Sequence, residues 1–184
     1  MKQFLKVMKI LMAWYKPFVP DLTVAAFTEL KLEDLKKLGC QVLLCDIDNT
    51  LIPYDQKLPD ENVYRFVDEL GKADIKVILI SNNTKERVSI FAEDLRLAYY
   101  GNAYKPLKGI YKRILKDIEF DKNQVVCMGD QLLTDVWGAH RAGLKVVWSR
   151  PLVKRDLFYT RFNRLFESFI YKTLLKKGCL NEKV

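Results

Sequence analysis

Val42-Leu43-Leu44-Cys45-Asp46-Ile47-Asp48-Asn49-Thr50 runs four apolar residues straight into two carboxylates two positions apart. A short apolar run bounded by polar residues has the make-up of a strand buried on both faces. Asp46 and Asp48 are therefore expected at the mouth of that strand, beside the core. Charge is costly there, because like charges repel and a carboxylate against apolar surroundings loses hydration. The pair is tolerable when a cation, a proton or a reacting group compensates it, and a divalent metal is the simplest candidate.

Three further apolar runs end in polar clusters. Ile75 to Ile80 leads to Ser81-Asn82-Asn83, Val125 to Met128 leads to Gly129-Asp130 with Asp135 following, and Leu97-Ala98-Tyr99-Tyr100 leads to Lys105-Pro106. Between the runs the apolar spacing becomes helical. Val63, Phe66, Val67 and Leu70 fall at i, i+3, i+4 and i+7, with Pro59-Asp60-Glu61 before them and Gly71 after. Asn83 with Glu86 resembles a capping box opening a helix striped by Val88, Phe91, Ala92 and Leu95. A third stripe, Leu107, Ile110, Ile114, Leu115 and Ile118, follows Pro106. A fourth, Thr134 to Ala142, stops at Gly143 before the last apolar run, Leu144 to Trp148. Strand and helix alternate, which predicts an α/β fold: a three-layer, Rossmann-like, doubly wound parallel sheet. In such sheets ligands gather beyond the carboxyl ends of the strands, so the four polar clusters are expected to form one composite site.

With 184 residues, 49% of them apolar and 29% charged, the chain has the composition of a folded globular protein and not of a disordered one. The expected division is a basic amphipathic extension over 1–38, a catalytic domain over 39–150 and a basic C-terminal helix over 151–184. The net charge of +8 is concentrated towards both ends, which favours an anionic partner, a membrane surface or a nucleic acid. Cys40, Cys45, Cys127 and Cys179 show no CxxC spacing and read as reduced packing residues in a cytosolic setting. Residues 4–12 are too short and too interrupted by Lys6 and Lys9 to span a bilayer, so neither a signal peptide nor a membrane anchor is expected.

The clusters suit phosphoryl transfer. Asp46 is the candidate nucleophile, its carboxylate attacking phosphorus in line, and Asp48 the general acid and then base. Asp46, Asp48, Asp130 and Asp135 are the candidate metal-site residues for Mg2+, with the Asp46 and Asp130 carboxylates foremost. Ser81, backbone N–H groups near Asn82, and Lys105 would meet the phosphoryl oxygens. Thr50 joins the substrate-binding set or orients Asp46. Asn49 is expected to shape the turn, Asn83 to cap a helix, and His140, the only histidine, to serve packing or the surface.

Taken in order, Asp46-Ile47-Asp48-Asn49-Thr50, Ser81-Asn82, Lys105 and Gly129-Asp130 through Asp135 resemble the four motifs of the haloacid-dehalogenase (HAD) superfamily. The resemblance implies the roles just given, a backbone carbonyl of Asp48 as a metal ligand, and phosphate hydrolysis in place of carbon–halogen cleavage, because dehalogenase members lack an acid at the position of Asp48. Neither the stretch from Pro53 to Lys57 nor that from Asn83 to Lys105 has room for an inserted cap domain. The chain is further similar to subfamily IIIA phosphatases of the YqeG type, and through them to phosphatidylglycerophosphate phosphatases. That similarity rests on Lys16-Pro17-Phe18-Val19-Pro20-Asp21, Leu43 to Leu51, Gly129 to Asp135 and Thr160 to Glu167.

The ends invite two readings each. Phe158, Phe162, Leu165, Phe166, Phe169 and Leu174 form a stripe among Arg161, Arg164, Lys172, Lys176 and Lys177, suited to packing on the domain or to lying at a membrane surface. Phe4, Val7, Met8 and Leu11 against Lys2, Lys6 and Lys9 read the same way. The expected function is Mg2+-dependent phosphomonoester hydrolysis of phosphatidylglycerophosphate, an anionic phospholipid, by a cytoplasmic protein peripheral at the inner face of the membrane. The rival readings are a phosphatase for nucleic-acid ends or phosphoproteins, and a non-catalytic, receiver-like module binding magnesium and phosphate. Nothing in the sequence specifies an oligomeric state.

Overall fold

Six strands, all parallel, lie in the order β1-β6-β5-β2-β3-β4. They are β1 (Leu22–Val24), β2 (Val42–Cys45), β3 (Lys76–Ile80), β4 (Ala98–Tyr100), β5 (Val125–Gly129) and β6 (Lys145–Ser149). The computed structural model describes residues 13–153 and 161–180, and only the backbone of 161–165. From β2 the chain winds outward to β3 and β4, then crosses back to β5 and β6. The winding therefore reverses between β2 and β5, and a crevice opens where the two strands end.

Successive side chains of a strand point to opposite faces, and β2 shows the consequence. Leu43 and Cys45 join one core cluster with Phe27, Leu35, Val63, Phe66 and Phe91. Val42 and Leu44 join the other, with Tyr111, Ile114, Val136, Ala139, Ile170 and Leu174. The first face is covered by α1 (Leu32–Leu38), α2 (Glu61–Lys72) and α3 (Lys85–Leu95), the second by α4 (Lys108–Asp117), α5 (Trp137–Ala142) and α6 (Arg161–Lys176). Every residue of β2 and β5 is buried, as expected for central parallel strands. The expected three-layer α/β fold is thus found, and no inserted domain interrupts the described residues.

Several local expectations change. The 39–150 boundary leaves out β1, which pairs with β6 in the same sheet, while Val24, Phe27, Leu30 and Leu35 are core residues. The part of the expected extension over 1–12 lies outside the described residues. Thr84, not Asn83, caps α3: its hydroxyl accepts the Arg87 N–H at 3.3 Å. The helix expected over Thr134 to Ala142 begins as a widened π turn, Leu132–Val136, before α5 continues it. Such turns commonly mark working positions.

Of the C-terminal segment, α6 packs one side on the domain and leaves the other exposed. Ile170 and Leu174 are fully enclosed against the sheet, whereas Phe166 and Phe169 remain 56% and 58% exposed. Among the described residues no helix is long and apolar enough to cross a membrane. Leu174→Ala should cost about 2–5 kcal/mol by urea denaturation, the usual range for emptying an enclosed leucine site. A loss below about 0.5 kcal/mol would mean that α6 does not dock on the sheet.

Candidate active site

The tips of β2, β3 and β5 and the loop after β4 bring together Asp46, Ser81, Asp130 and Lys105. Asp46 extends β2 by one ladder bond, its N–H donating to the Met128 carbonyl at 2.9 Å. A tight turn follows, with Thr50, Leu51 and Ile52 N–H groups all on the Ile47 carbonyl. Asn49 takes φ +63° in that turn, a left-handed conformation that Asn tolerates better than most residues. The expectation that Asn49 shapes the turn thus has its backbone basis.

Lys105 is the electrostatic hub. Its Nζ donates to Asp46 Oδ1 at 2.7 Å and Asp135 Oδ1 at 2.5 Å, with all three side chains buried. Thr50 Oγ1 reaches Asp130 Oδ1 at 3.4 Å and Asp46 Oδ2 at 3.5 Å. The other Asp135 oxygen accepts the Gln131 N–H at 3.0 Å. Asp46, Asp130 and Asp135 each present a carboxylate oxygen within 4.8 Å of the others.

Burial pushes Asp46 up to about 7, and Asp135 and Asp48 add to the rise while Lys105 opposes it. Asp130 is held well above the usual carboxylate range by burial, then by Asp135 and Asp46. For Lys105, burial alone would lower the pKa, but Asp135 and Asp46 outweigh it and keep the ammonium charged. When all are ionised, three carboxylates and one ammonium carry two net negative charges, which a single divalent cation cancels. The donors are all hard oxygens, suited to magnesium, manganese or calcium and not to soft-ligand metals. Asp46, Asp130 and Asp135 therefore fit a hard divalent cation.

Residues 102–151 match the family model described as "HAD-hyrolase-like". Over 163 residues the chain is 35% identical to the probable phosphatase YqeG of Bacillus subtilis (strain 168), an alignment covering 89% of this chain and 95% of that one. The chain belongs to the YqeG type of HAD phosphatases. Two solved structures share the fold. An uncharacterized protein from Listeria monocytogenes serotype 4b superposes with a TM-score of 0.51 at 17% identity, covering 71% of this chain and 98% of that one. The 3-deoxy-D-manno-octulosonate 8-phosphate phosphatase from Yersinia pestis gives 0.50 at 20% identity, covering 64% and 69%.

In this YqeG-type protein the cluster opens into a cavity of about 270 Å³ whose walls include Asp46, Asp48, Tyr54, Ser81, Lys105 and Gln131. Asp48 is not part of the carboxylate cluster. Its oxygens accept from Arg87 Nη2 at 3.1 Å and Asn83 Nδ2 at 3.3 Å, leaving its backbone carbonyl for the metal role that the resemblance implies. Thr50, expected on the substrate, is fully buried behind the two aspartates and is placed to orient them. The Asn82 side chain braces the Lys105 loop, accepting the Lys105 N–H at 2.6 Å and donating to its carbonyl at 3.0 Å. The same residue also lines the cavity. Ser81 Oγ faces the cavity and accepts the Asn83 N–H at 3.1 Å. His140 lies apart, bonded to Pro17 and Asp21, in keeping with a packing role.

Four residues escaped sequence reasoning. Arg87 and Tyr54 reach the site from α3 and from the turn after β2, Trp148 donates its indole N–H to the Asp130 carbonyl at 2.6 Å, and Glu167 of α6 accepts the Leu132 and Leu133 N–H groups. The last bonds satisfy donors left open at the start of the turn that carries Asp135. Only Arg87, in the first turn of a helix beside Ser81, left a positional hint.

Gly129 is required by close approach: a Cβ there would overlap the Asp135 side chain. Gly129→Ala should therefore weaken divalent-cation binding, measured by calorimetry, by tenfold or more (about 1.4 kcal/mol). An unchanged affinity would show that Asp135 takes no part in the site. A raised carboxyl pKa means that the folded state holds the extra proton. The Asp46 contribution to stability therefore falls as pH rises from about 4 to about 7 in metal-free protein. Melting curves in EDTA should show that fall in wild type and a smaller one in Asp46→Asn, with added divalent cation restoring wild type alone. Parallel pH profiles for the two would contradict the enclosed-charge account.

Proposed function

We propose that this chain hydrolyses a phosphomonoester through an aspartyl-phosphate on Asp46, with Mg2+ held by Asp46, Asp130 and Asp135, and that the substrate is phosphatidylglycerophosphate. The observation that carries the chemistry is the buried Asp46–Lys105–Asp135 cluster opening onto a cavity with Asp48 on its wall. The Asp46 carboxylate attacks phosphorus while the bond to the leaving oxygen breaks, and Asp48 gives that oxygen a proton. Water then attacks the phosphorus, Asp48 takes its proton, and the bond to Asp46 breaks to release phosphate. In this reading Lys105 and Ser81, both on the cavity wall, offset the charge that the phosphoryl oxygens gain. Bound Mg2+ supplies further positive charge against those oxygens.

The size of the cavity supports a bulky substrate. At about 270 Å³ and without a cap, it has room for a phosphoryl group while the rest of the molecule stays outside. The charge distribution supports an anionic surface. Residues 1–16 and 150–184 carry thirteen of the 31 Lys and Arg but three of the 23 Asp and Glu, whereas between them 18 basic residues meet 20 acidic ones. On α6, exposed Phe166 and Phe169 flank Glu167, whose carboxylate reaches the loop next to cavity-lining Gln131. Trp14 stacks on Phe169 at 5.4 Å, and exposed Lys172 and Lys176 follow on the same helix. Aromatic rings beside lysines suit the head-group region, each basic residue contributing about 1 kcal/mol near an anionic surface. This supports a peripheral position at the inner membrane face. Membership of a phosphatase family sets aside the receiver-like reading.

Phosphate release with Mg2+ should be measured on phosphatidylglycerophosphate in anionic vesicles, on a 5′-phosphorylated oligonucleotide and on a phosphopeptide. The expected result is preferential turnover of the lipid, lowered on the order of 10⁴-fold or more by Asp46→Asn. Turnover of the oligonucleotide or peptide alone would replace the lipid reading. No release from any of them would overturn the hydrolase mechanism.

A further inference from the structure

We infer that Arg87 is a positioning residue for the proton transfer to the leaving oxygen, holding Asp48 and the turn after β2 in one fixed relation. The inference rests on the proposed role of Asp48 and adds to it a group that no part of that mechanism uses. Arg87 sits in the first turn of α3, where the Thr84 cap anchors its backbone. Its guanidinium then joins three separate pieces of chain. Nη2 donates to Asp48 Oδ1 at 3.1 Å and to the Gln56 carbonyl, and Nη1 donates to the Lys57 carbonyl at 3.1 Å.

The geometry suits orientation better than simple charge neutralisation. A planar fork fixes directions that a lysine ammonium does not. The pair is partly sheltered, with Arg87 17% and Asp48 23% exposed, so the bond is not merely a solvated surface contact. Asn83 holds the second Asp48 oxygen from the same helix start, at 3.3 Å. An unsupported carboxylate turns broadly about its last torsion, whereas proton transfer needs a heavy-atom separation of about 2.6–3.2 Å. Each carboxylate oxygen keeps a further lone-pair site after accepting one donor, so both remain able to exchange a proton with a group in the cavity.

Arg87 also tethers the wall of the cavity. The segment from Pro53 to Leu58 belongs to no strand or helix and is folded on itself by Gln56, whose N–H reaches the Pro53 carbonyl at 3.0 Å and whose side chain reaches the Leu58 carbonyl at 2.9 Å. Tyr54 of this turn lines the cavity. The two Arg87 bonds to carbonyls 56 and 57 attach the turn to α3, so the same side chain sets where Tyr54 and Asp48 stand relative to each other.

Leaving-group dependence separates positioning from mere support of the fold. An aryl oxide of low basicity departs without help, whereas an alkoxide needs the proton that Asp48 delivers. kcat/KM, which ends at departure of the leaving group and so leaves out the later attack of water that Asp48 also assists, should be compared on an aryl phosphate and on an alkyl phosphate such as glycerol phosphate, for wild type, Arg87→Ala, Arg87→Lys and an Asp48→Asn benchmark. The expected result is a loss on the alkyl substrate of about 10²-fold for Arg87→Ala, with at most a few-fold loss on the aryl one. Arg87→Lys should show the same bias at smaller size, and it keeps the test open if the alanine variant does not fold. Equal losses on both substrates, or none on either, would overturn the inference. Failure of wild type to turn over either substrate would instead count against the phosphatase mechanism itself.

Discussion

Three carboxylates and a lysine are enclosed where β2 and β5 end, and most of the surrounding structure answers to that charge. Lys105 satisfies two of the carboxylates, and the cluster is doubly negative once all three are ionised. Thr50, the Gln131 N–H and the Trp148 indole then fix the aspartates or their backbone. Removing one partner from such a cluster costs more than the pair contributes, because the remaining charge stays buried without compensation. The arrangement is therefore suited to holding a cation more than to adding stability.

The strands and most helices were legible because they depend on local pattern. β2, β3 and β5 are continuous apolar runs, and α2 carries its stripe at helical spacing. β1 was missed because three residues, Leu22 to Val24, give too short a run to read, and their place comes from pairing with β6 more than 120 residues away. The cap of α3 was misplaced by one residue. Asn83 and Thr84 are both good caps, and the choice fell to Thr84 because Asn83 bonds across to Asp48, a tertiary contact.

The residues that the structure gathers at the cavity were legible in the same way, as polar residues at strand ends, but their supports were not. Near Asn82 the sequence offered backbone N–H groups for the substrate, but not the hold of its side chain on Lys105, 23 residues on. Glu167 lies 34 and 35 residues from the N–H groups it accepts, in a helix whose sequence pattern reports only on amphipathicity. Through that carboxylate α6 touches the loop of Asp130 and Asp135 while its phenylalanines face outward. Events at the outer face of the helix thus have a direct mechanical route to that loop.

The short turn from Pro53 to Leu58 stands where larger relatives would need an entire second body. Among the described residues no inserted domain covers the cavity, so for the reaction proposed the rate falls to bond-making or to the departure of product. The corresponding loss is control over solvent: bulk water reaches the reacting atoms at every stage. Protection from wasteful side reactions must then come from how the substrate is delivered.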